Sequence, residues 1–370
     1  MSRFTLELGF IKPQYRLWAL IATTVSLLLL TMHSFSPMKM SPPPYAKTPS
    51  VYDPVRACFV ILVRNSELEG IRSTILQIEQ TFNSKFHYPY VFLNDDYFTD
   101  EFIERTKILT TSPVSYGKLD SQMWGYPSFI NTTYAAEQRE DMASKGVPYG
   151  SSESYRHMCR FQSGFFFRHR LLDDYDYYWR LEPDVGFHCD IDYDVFRFMR
   201  DNDKKYGFTM TFTEYMDTVP TLWNTVKEFK SRYPEVVKNW PSKKDSLEQF
   251  VTSDDGETYN SCHFWSNFEI AALDLWRSND YLKLFNYLDR SGGFFYERWG
   301  DAPVHSIAAA MMLRKDQFHF FNDIGYTHTG YTHCPVDPSF RDKCNCNPET
   351  NFDYDPGLSC YPVYKRVIQS

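Results

Sequence analysis

Two segments of this chain place carboxylates beside runs of strand-forming or aromatic residues. In Tyr177-Tyr178-Trp179-Arg180-Leu181-Glu182-Pro183-Asp184-Val185 two acids share one turn, and Asn267-Phe268-Glu269-Ile270 sets a third among apolar neighbours. Burying an acid is costly unless a metal, a cation or a hydrogen-bond donor holds it. Acids placed this way suit a reaction in which a diphosphate departs with added charge, neutralised by a divalent metal or by arginines. Mg²⁺ and Mn²⁺ accept carboxylate ligands, and Mn²⁺ also accepts imidazole. Glu182 and Asp184 are therefore candidate residues of a nucleotide-sugar donor site, with Glu182 also a candidate metal ligand. A solvated turn is the other reading of the same tripeptide.

His328 lies in the glycine-bearing stretch 323–331, where it either faces solvent or completes a metal site with Glu182. Arg156 and Arg160 lie four apart, on one face of a helix. Two such guanidinium groups can grip a diphosphate bidentately or form salt bridges with the chain's many acids; spacing alone leaves both open. Glu269 suits a different role, since a carboxylate beside an anomeric carbon stabilises an oxocarbenium-like state. The aromatic stretch 261–269 would desolvate such an acid. Residues 292–305 mix glycines, aromatics and charges, and the glycines permit close backbone approach to a ligand. Asp301, ahead of Ala302-Pro303, also reads as a helix N-cap.

These residues need a scaffold to position them. Ala57-Cys58-Phe59-Val60-Ile61-Leu62-Val63 is a continuous apolar run, as in a strand buried on both faces. Residues 67–82 then carry Leu68, Ile71, Ile75, Ile78 and Phe82 at helical spacing. A second strand, 90–93, ends in Asn94-Asp95-Asp96; a helix over 100–107 and a strand near Val114 follow. Further strands are expected at 177–181, 206–212 and 318–321, and helices at 194–201, 280–288 and 302–313. The alternation implies an α/β sandwich around a mostly parallel sheet, in which ligands bind beyond the carboxyl ends of the strands. Asn65, Asn94, Asp95, Glu182 and Asp184 all follow expected strands.

Composition narrows the class. A net charge of −8 argues against a nucleic-acid partner. Aromatics make up 18% of 370 residues, a high share of which much must be core, though carbohydrate sites also favour exposed Tyr and Trp. Three of the eight cysteines crowd the C-terminal tail, where Cys344-Asn345-Cys346 is too tightly spaced for zinc, so disulfides in an oxidising compartment are expected. The uncharged run from Leu17 to Met32 would span about 24 Å as a helix, at about 1.5 Å per residue, enough for a thin early-secretory membrane. Arg3, Lys12 and Arg16 precede it, which orients the N-terminus to the cytosol. A cleaved signal peptide is the competing reading, against which stands the poor cleavage site Thr31-Met32-His33. The expected order is a cytosolic tail (1–16), a transmembrane signal anchor (17–35), a Pro- and Ser-rich stem (36–51) and a luminal catalytic domain (52–370). Asn131-Thr132-Thr133 is a sequon that makes Asn131 a glycosylation candidate.

At these residues the chain resembles the fungal α-1,2-mannosyltransferases of glycosyltransferase family fifteen, from about Tyr52 to Cys334. The resemblance rests on Leu62-Val63-Arg64-Asn65-Ser66, Val91-Phe92-Leu93-Asn94-Asp95, Ser154-Tyr155-Arg156-His157-Met158-Cys159-Arg160-Phe161, Tyr178-Trp179-Arg180-Leu181-Glu182-Pro183, Cys262-His263-Phe264-Trp265-Ser266-Asn267-Phe268-Glu269, Glu297-Arg298-Trp299-Gly300-Asp301-Ala302-Pro303-Val304-His305 and Asp323-Ile324-Gly325-Tyr326-Thr327-His328.

That resemblance implies a GT-A type fold, GDP-mannose as donor, Mn²⁺ as cofactor and retention of the α configuration. It also implies a type II Golgi membrane protein, held through the N-terminal helix, that extends mannose chains on N- or O-linked glycans. Carried over by position, His328 would bind Mn²⁺ and Glu182 would sit in the donor and metal region. Tyr155 and Arg180 would line the donor site, with Asn94, Arg156, Arg160 and Asp184 also counted to it, and Arg64 the nucleotide pocket. Glu269 would be the nucleophile or cation-stabilising carboxylate, and Asp301 a polar group near the reacting sugars. The tail after Cys334 departs from the family's expected arrangement. A luminal glycosidase and a non-catalytic glycan-binding member of the fold are the other readings of the same residues.

Overall fold

The computed structural model describes residues 54–370. The expected cytosolic tail, signal anchor and stem lie outside the described residues. In chain order the strands are β1 (Ala57–Leu62), β2 (Tyr90–Asn94), β3 (Val114–Lys118), β4 (Tyr177–Arg180), β5 (Gly186–Phe187), β6 (Tyr206–Phe208), β7 (Thr211–Thr213), β8 (Thr252–Ser253), β9 (Thr258–Tyr259), β10 (Cys262–Phe264), β11 (Glu269–Ala272), β12 (Phe318–Phe320), β13 (Tyr326–His328) and β14 (Tyr331–His333). A seven-stranded sheet in the order β12-β6-β11-β4-β1-β2-β3 forms the centre. β1 pairs in parallel with β2 and β4, β2 with β3, and β6 with β12. Only β11, among these strands, runs antiparallel to both its neighbours, β4 and β6. The sheet is therefore mixed and mostly parallel.

Both faces of this sheet are covered, which is why β1 reads as an unbroken apolar run. Cys58 and Val60 pack on one side with Phe161 of helix Glu153–Gly164 and with Val304 and Ile307 of helix Asp301–Met312. Phe59 and Ile61 pack on the other with Ile71, Ile75 and Ile78 of helix Leu68–Ile78. The expected helix over 100–107 is helix Asp100–Lys107, with the Thr99 hydroxyl accepting from the Phe102 amide. Two expectations need correction. The single strand 206–212 divides, because β7 leaves the central sheet to pair antiparallel with β10. The cap of helix Asp301–Met312 is Gly300; Asp301 is its first residue, and its carboxylate turns to Arg180 instead of capping.

Disulfides tie the C-terminal tail to the body. Cys344 bonds Cys189, Cys360 bonds Cys262, and Cys346 bonds Cys334, so the tightly spaced pair serves two different partners. Cys58 and Cys159 are free and buried. The tail ends in helix Tyr361–Gln369, whose Tyr364 and Val367 reach the core. Buried His333, at the end of β14, holds Asp353 of the tail at 2.8 Å. Among the described residues no helix is long and apolar enough to cross a membrane.

Candidate active site

A cavity of about 740 Å³ opens at the carboxyl ends of β1, β2 and β4. The position follows from topology, since parallel strands leave a crevice beyond their carboxyl ends. The cavity brings together Arg64, Asn94, Tyr155, Glu182, Asp184 and His328, residues dispersed over more than two hundred positions of sequence. Each arrives by its own route. Arg64 follows β1, and its guanidinium meets the Ser154 hydroxyl. Asn94 ends β2. Tyr155 stands in the first turn of helix Glu153–Gly164, which Ser152 caps by accepting from the Tyr155 amide at 3.1 Å. Glu182 and Asp184 form the turn after β4, where Asp184 takes a left-handed φ of 57°.

His328 comes from the β13/β14 hairpin, which antiparallel pairing with β5 seats beside that turn. Its imidazole packs 5.5 Å from the Trp265 ring, and its buried Nδ1 has no protein partner. Burial, aided by the Arg180 charge, pushes its pKa down to about 4, with Asp184 opposing. The imidazole is thus neutral near neutral pH, the state a metal ligand needs. Together, His328 and the carboxylates of Glu182 and Asp184 offer the nitrogen and oxygen donors that Mn²⁺ accepts. Among the described residues no three His, Cys, Asp or Glu side chains converge on one point.

Behind Glu182 lies a chain of buried charges. Arg180 donates from Nε to Glu182 Oε1 at 2.6 Å and from Nη1 to Asp301 Oδ2 at 2.6 Å. Ser266 Oγ donates to the same Asp301 oxygen at 2.7 Å. Burial would raise the Asp301 carboxyl, but Arg180, His305 and Ser266 outweigh it and leave it below its ordinary value. Glu182 is raised by burial against the pull of Arg180. Arg180 stays charged: burial disfavours its charge, and Glu182 and Asp301 more than compensate. Arg180 and Asp301 thus stand one layer behind the cavity wall.

Three other expected site residues do not reach the cavity. Arg156 is wholly buried and donates from Nη1 to the carbonyls of Gly150 at 2.8 Å and Ser152 at 2.9 Å, and from Nε to the Glu297 carbonyl. Arg160 forms a bidentate pair with Asp289, at 2.7 and 2.9 Å. The helix they share is real, but the face that carries them points into the protein, so neither grips a diphosphate. Glu269 pairs with Arg180 in the β11/β4 register. Its carboxylate accepts from the hydroxyls of Tyr178 and Tyr206, the latter at 2.7 Å, and lies 3.0 Å from His305 Nδ1. It is 1% exposed, engaged by protein groups and absent from the cavity wall, so it is not placed to meet an anomeric carbon. Glu67, Trp124, Tyr149, Ser152 and Ser154, which no sequence signal above assigns to a site, also line the cavity. The last three lie in or beside a Gly-, Pro- and Ser-rich turn, whose composition marks a loop.

Comparison with known proteins places this geometry. A family profile described as "Glycolipid 2-alpha-mannosyltransferase" matches residues 31–369, tail included. The chain is 51% identical over 321 residues to Glycolipid 2-alpha-mannosyltransferase 2 of Candida albicans, spanning 86% of this chain and 68% of that protein. It is 51% identical over 314 residues to Alpha-1,2 mannosyltransferase KTR1 of Saccharomyces cerevisiae, spanning 84% and 78%. Among solved structures it is similar to core-mannan synthase A of Aspergillus fumigatus in a Mn/GDP form, with TM-score 0.80, 41% identity and coverage of 86% and 87%. It is likewise similar to the mannosyltransferase Ktr4p of S. cerevisiae in complex with GDP, with TM-score 0.80, 39% identity and coverage of 85% and 82%.

The Glu269 network generates a test. Glu269→Ala removes the acceptor of two buried hydroxyls and the partner of a buried imidazole. The expected loss is about 2–4 kcal/mol of stability, read as a lower Tm, with GDP bound by the folded protein at unchanged affinity. An unaltered Tm together with abolished activity would return Glu269 to the reaction.

Proposed function

This chain belongs to the glycolipid 2-alpha-mannosyltransferase family, and from that membership we propose how its cavity works. It is an α-1,2-mannosyltransferase, a glycosyltransferase. Our reading is that the cavity takes GDP-mannose with Mn²⁺ on a GT-A type fold and passes mannose, with retention, to a mannose-terminated N- or O-linked glycan. The observation that carries this is the meeting, at the strand ends, of a neutral His328, whose Nδ1 has no protein partner, with the Glu182-Pro183-Asp184 turn.

In this reading Arg64 and Asn94 hold the nucleotide end, at the tips of β1 and β2. His328 and Glu182 would hold the metal, with Asp184 beside them on the same turn. Bound there, the metal would neutralise the charge that builds on the departing diphosphate. Arg180 keeps Glu182 in place, and a nearby cation favours the ionised form that burial otherwise opposes. Asp301 acts through Arg180: it stays ionised, fixes the guanidinium and so aims Glu182. Tyr155 faces the reacting end. Glu269 is left out of the chemistry, so retention here uses no covalent adduct on that carboxylate.

The test is transfer of mannose from GDP-mannose to an α-mannoside, with and without chelator. Activity should vanish in EDTA and return with Mn²⁺. His328→Ala should weaken Mn²⁺ binding in the presence of GDP by roughly tenfold or more, read by calorimetry. Full transfer in chelator, release of mannose from the acceptor, or unchanged Mn²⁺ affinity in the variant would each sink the reading.

We also propose the type II Golgi arrangement, anchored through residues 17–35 with residues 52–370 in the lumen. Disulfides in the body and an exposed Asn131 support it. Asn131 caps helix Thr132–Ser144 through its side-chain oxygen, which accepts from the Tyr134 amide, and so leaves the side-chain nitrogen free for a glycan. The secreted-pathway protein should lose mass on amidase treatment, and Asn131→Gln should abolish that shift. An identical mobility of treated and untreated protein would contradict luminal exposure of this face.

A further inference from the structure

The turn between helices Thr132–Ser144 and Glu153–Gly164 carries a residue that no role above uses. Tyr149 adopts φ +57°, a left-handed conformation that is sterically disfavoured for a large side chain. The residue is 61% exposed and stands on the cavity wall. It stacks on Tyr155 with ring centroids 4.5 Å apart and planes within 4°, so one face is covered and the other is free. A glycine in this place would remove both the strain and the exposed ring. The fold instead enforces the arrangement. Ser152 donates its amide to the Tyr149 carbonyl, Gly150 donates to Val147, and the buried Arg156 guanidinium clasps the carbonyls of Gly150 and Ser152. The same guanidinium donates to the Glu297 carbonyl, so one buried cation fixes the turn to the segment that leads into Asp301.

We propose that Tyr149 is a stacking platform for the acceptor sugar, its free face meeting the C–H face of the terminal mannopyranose. The acceptor is favoured over the nucleotide by position. The stack begins at Tyr149, passes through Tyr155, whose neighbour Ser154 meets the Arg64 guanidinium, and runs on away from Arg64 to the Arg298 guanidinium, 5.1 Å from the Tyr155 ring. Arg298 is buried, its Nε has no protein partner, and it sits three residues from Asp301 of the Arg180 chain. Tyr149 is thus the outermost member of a column that leads to the reacting end. An aromatic face confers selectivity by shape and adds affinity without charge, which suits a neutral sugar.

The inference rests on the mannosyltransferase reading and is tested beside it. Tyr149→Asn keeps a residue that tolerates left-handed backbone and removes the ring. Tyr149→Phe keeps the ring and removes the hydroxyl. With the unaltered enzyme transferring mannose from GDP-mannose, Tyr149→Asn should raise the KM for an α-mannoside acceptor about tenfold, the order expected of one lost aromatic stacking contact. GDP affinity, measured by calorimetry, and kcat should hold, and Tyr149→Phe should behave as the parent. An unchanged acceptor KM in Tyr149→Asn, or GDP affinity falling with it, would overturn the proposal. Absence of transfer by the unaltered enzyme would instead overturn the mannosyltransferase reading, and this inference with it.

Discussion

A single buried guanidinium organises this site. Arg180 ends β4, the strand at the middle of the sheet, and reaches Glu182 on one side and Asp301 on the other, both at 2.6 Å. Neither acid tolerates burial alone, and removing one partner from such a group costs about 3–5 kcal/mol. The triad therefore constrains everything around it. It sets the turn after β4, it pins the start of helix Asp301–Met312, and it determines which acid faces the cavity. Glu182 is the member that lines the cavity; Asp301 and Arg180 stand behind it.

The rest of the fold supplies the frame for that triad. β11 enters antiparallel between β4 and β6 and sets Glu269 opposite Arg180. There Glu269 joins Tyr178 of β4, Tyr206 of β6 and His305, one turn along the helix that Asp301 begins. One carboxylate thus ties two strands and a helix together directly beneath the site. On the other side of the cavity the hairpin bearing His328 is backed by the tail. Phe352 stacks on Phe212 and meets Tyr331, while the disulfide from Cys189 to Cys344 and the His333–Asp353 contact fasten the same layer. Catalytic loops on a parallel sheet are mobile by default; here covalent and aromatic contacts hold one of them.

Much of this was legible in sequence because the signals were local. The run at β1, the amphipathic spacing of Leu68 to Ile78 and the acids following strands are period and position effects, and they survive folding. The acid turn and the β13 histidine were identified by chemical type, and the fold brings them together. Arg156 and Arg160 show where local reasoning stops. Their spacing fixes a shared face but not its direction, which depends on what packs against helix Glu153–Gly164. Glu269 shows the same limit in a strand: alternation says it shares a face with Ala271, but burial came from the antiparallel insertion of β11, a long-range event. The tail reads as a departure from the family, yet the family match runs to residue 369 and its cysteines bridge to the body.

The central claim is that Asp301 acts on the ligand only through Arg180 and Glu182. The most direct test is a double-mutant cycle on the affinity for GDP with Mn²⁺, comparing Glu182→Gln, Asp301→Asn and both together by calorimetry. Residues acting through one element are non-additive. The account predicts that each single change weakens binding and that the double variant binds about as well as Glu182→Gln alone. Additive losses, or full affinity in Asp301→Asn, would contradict it.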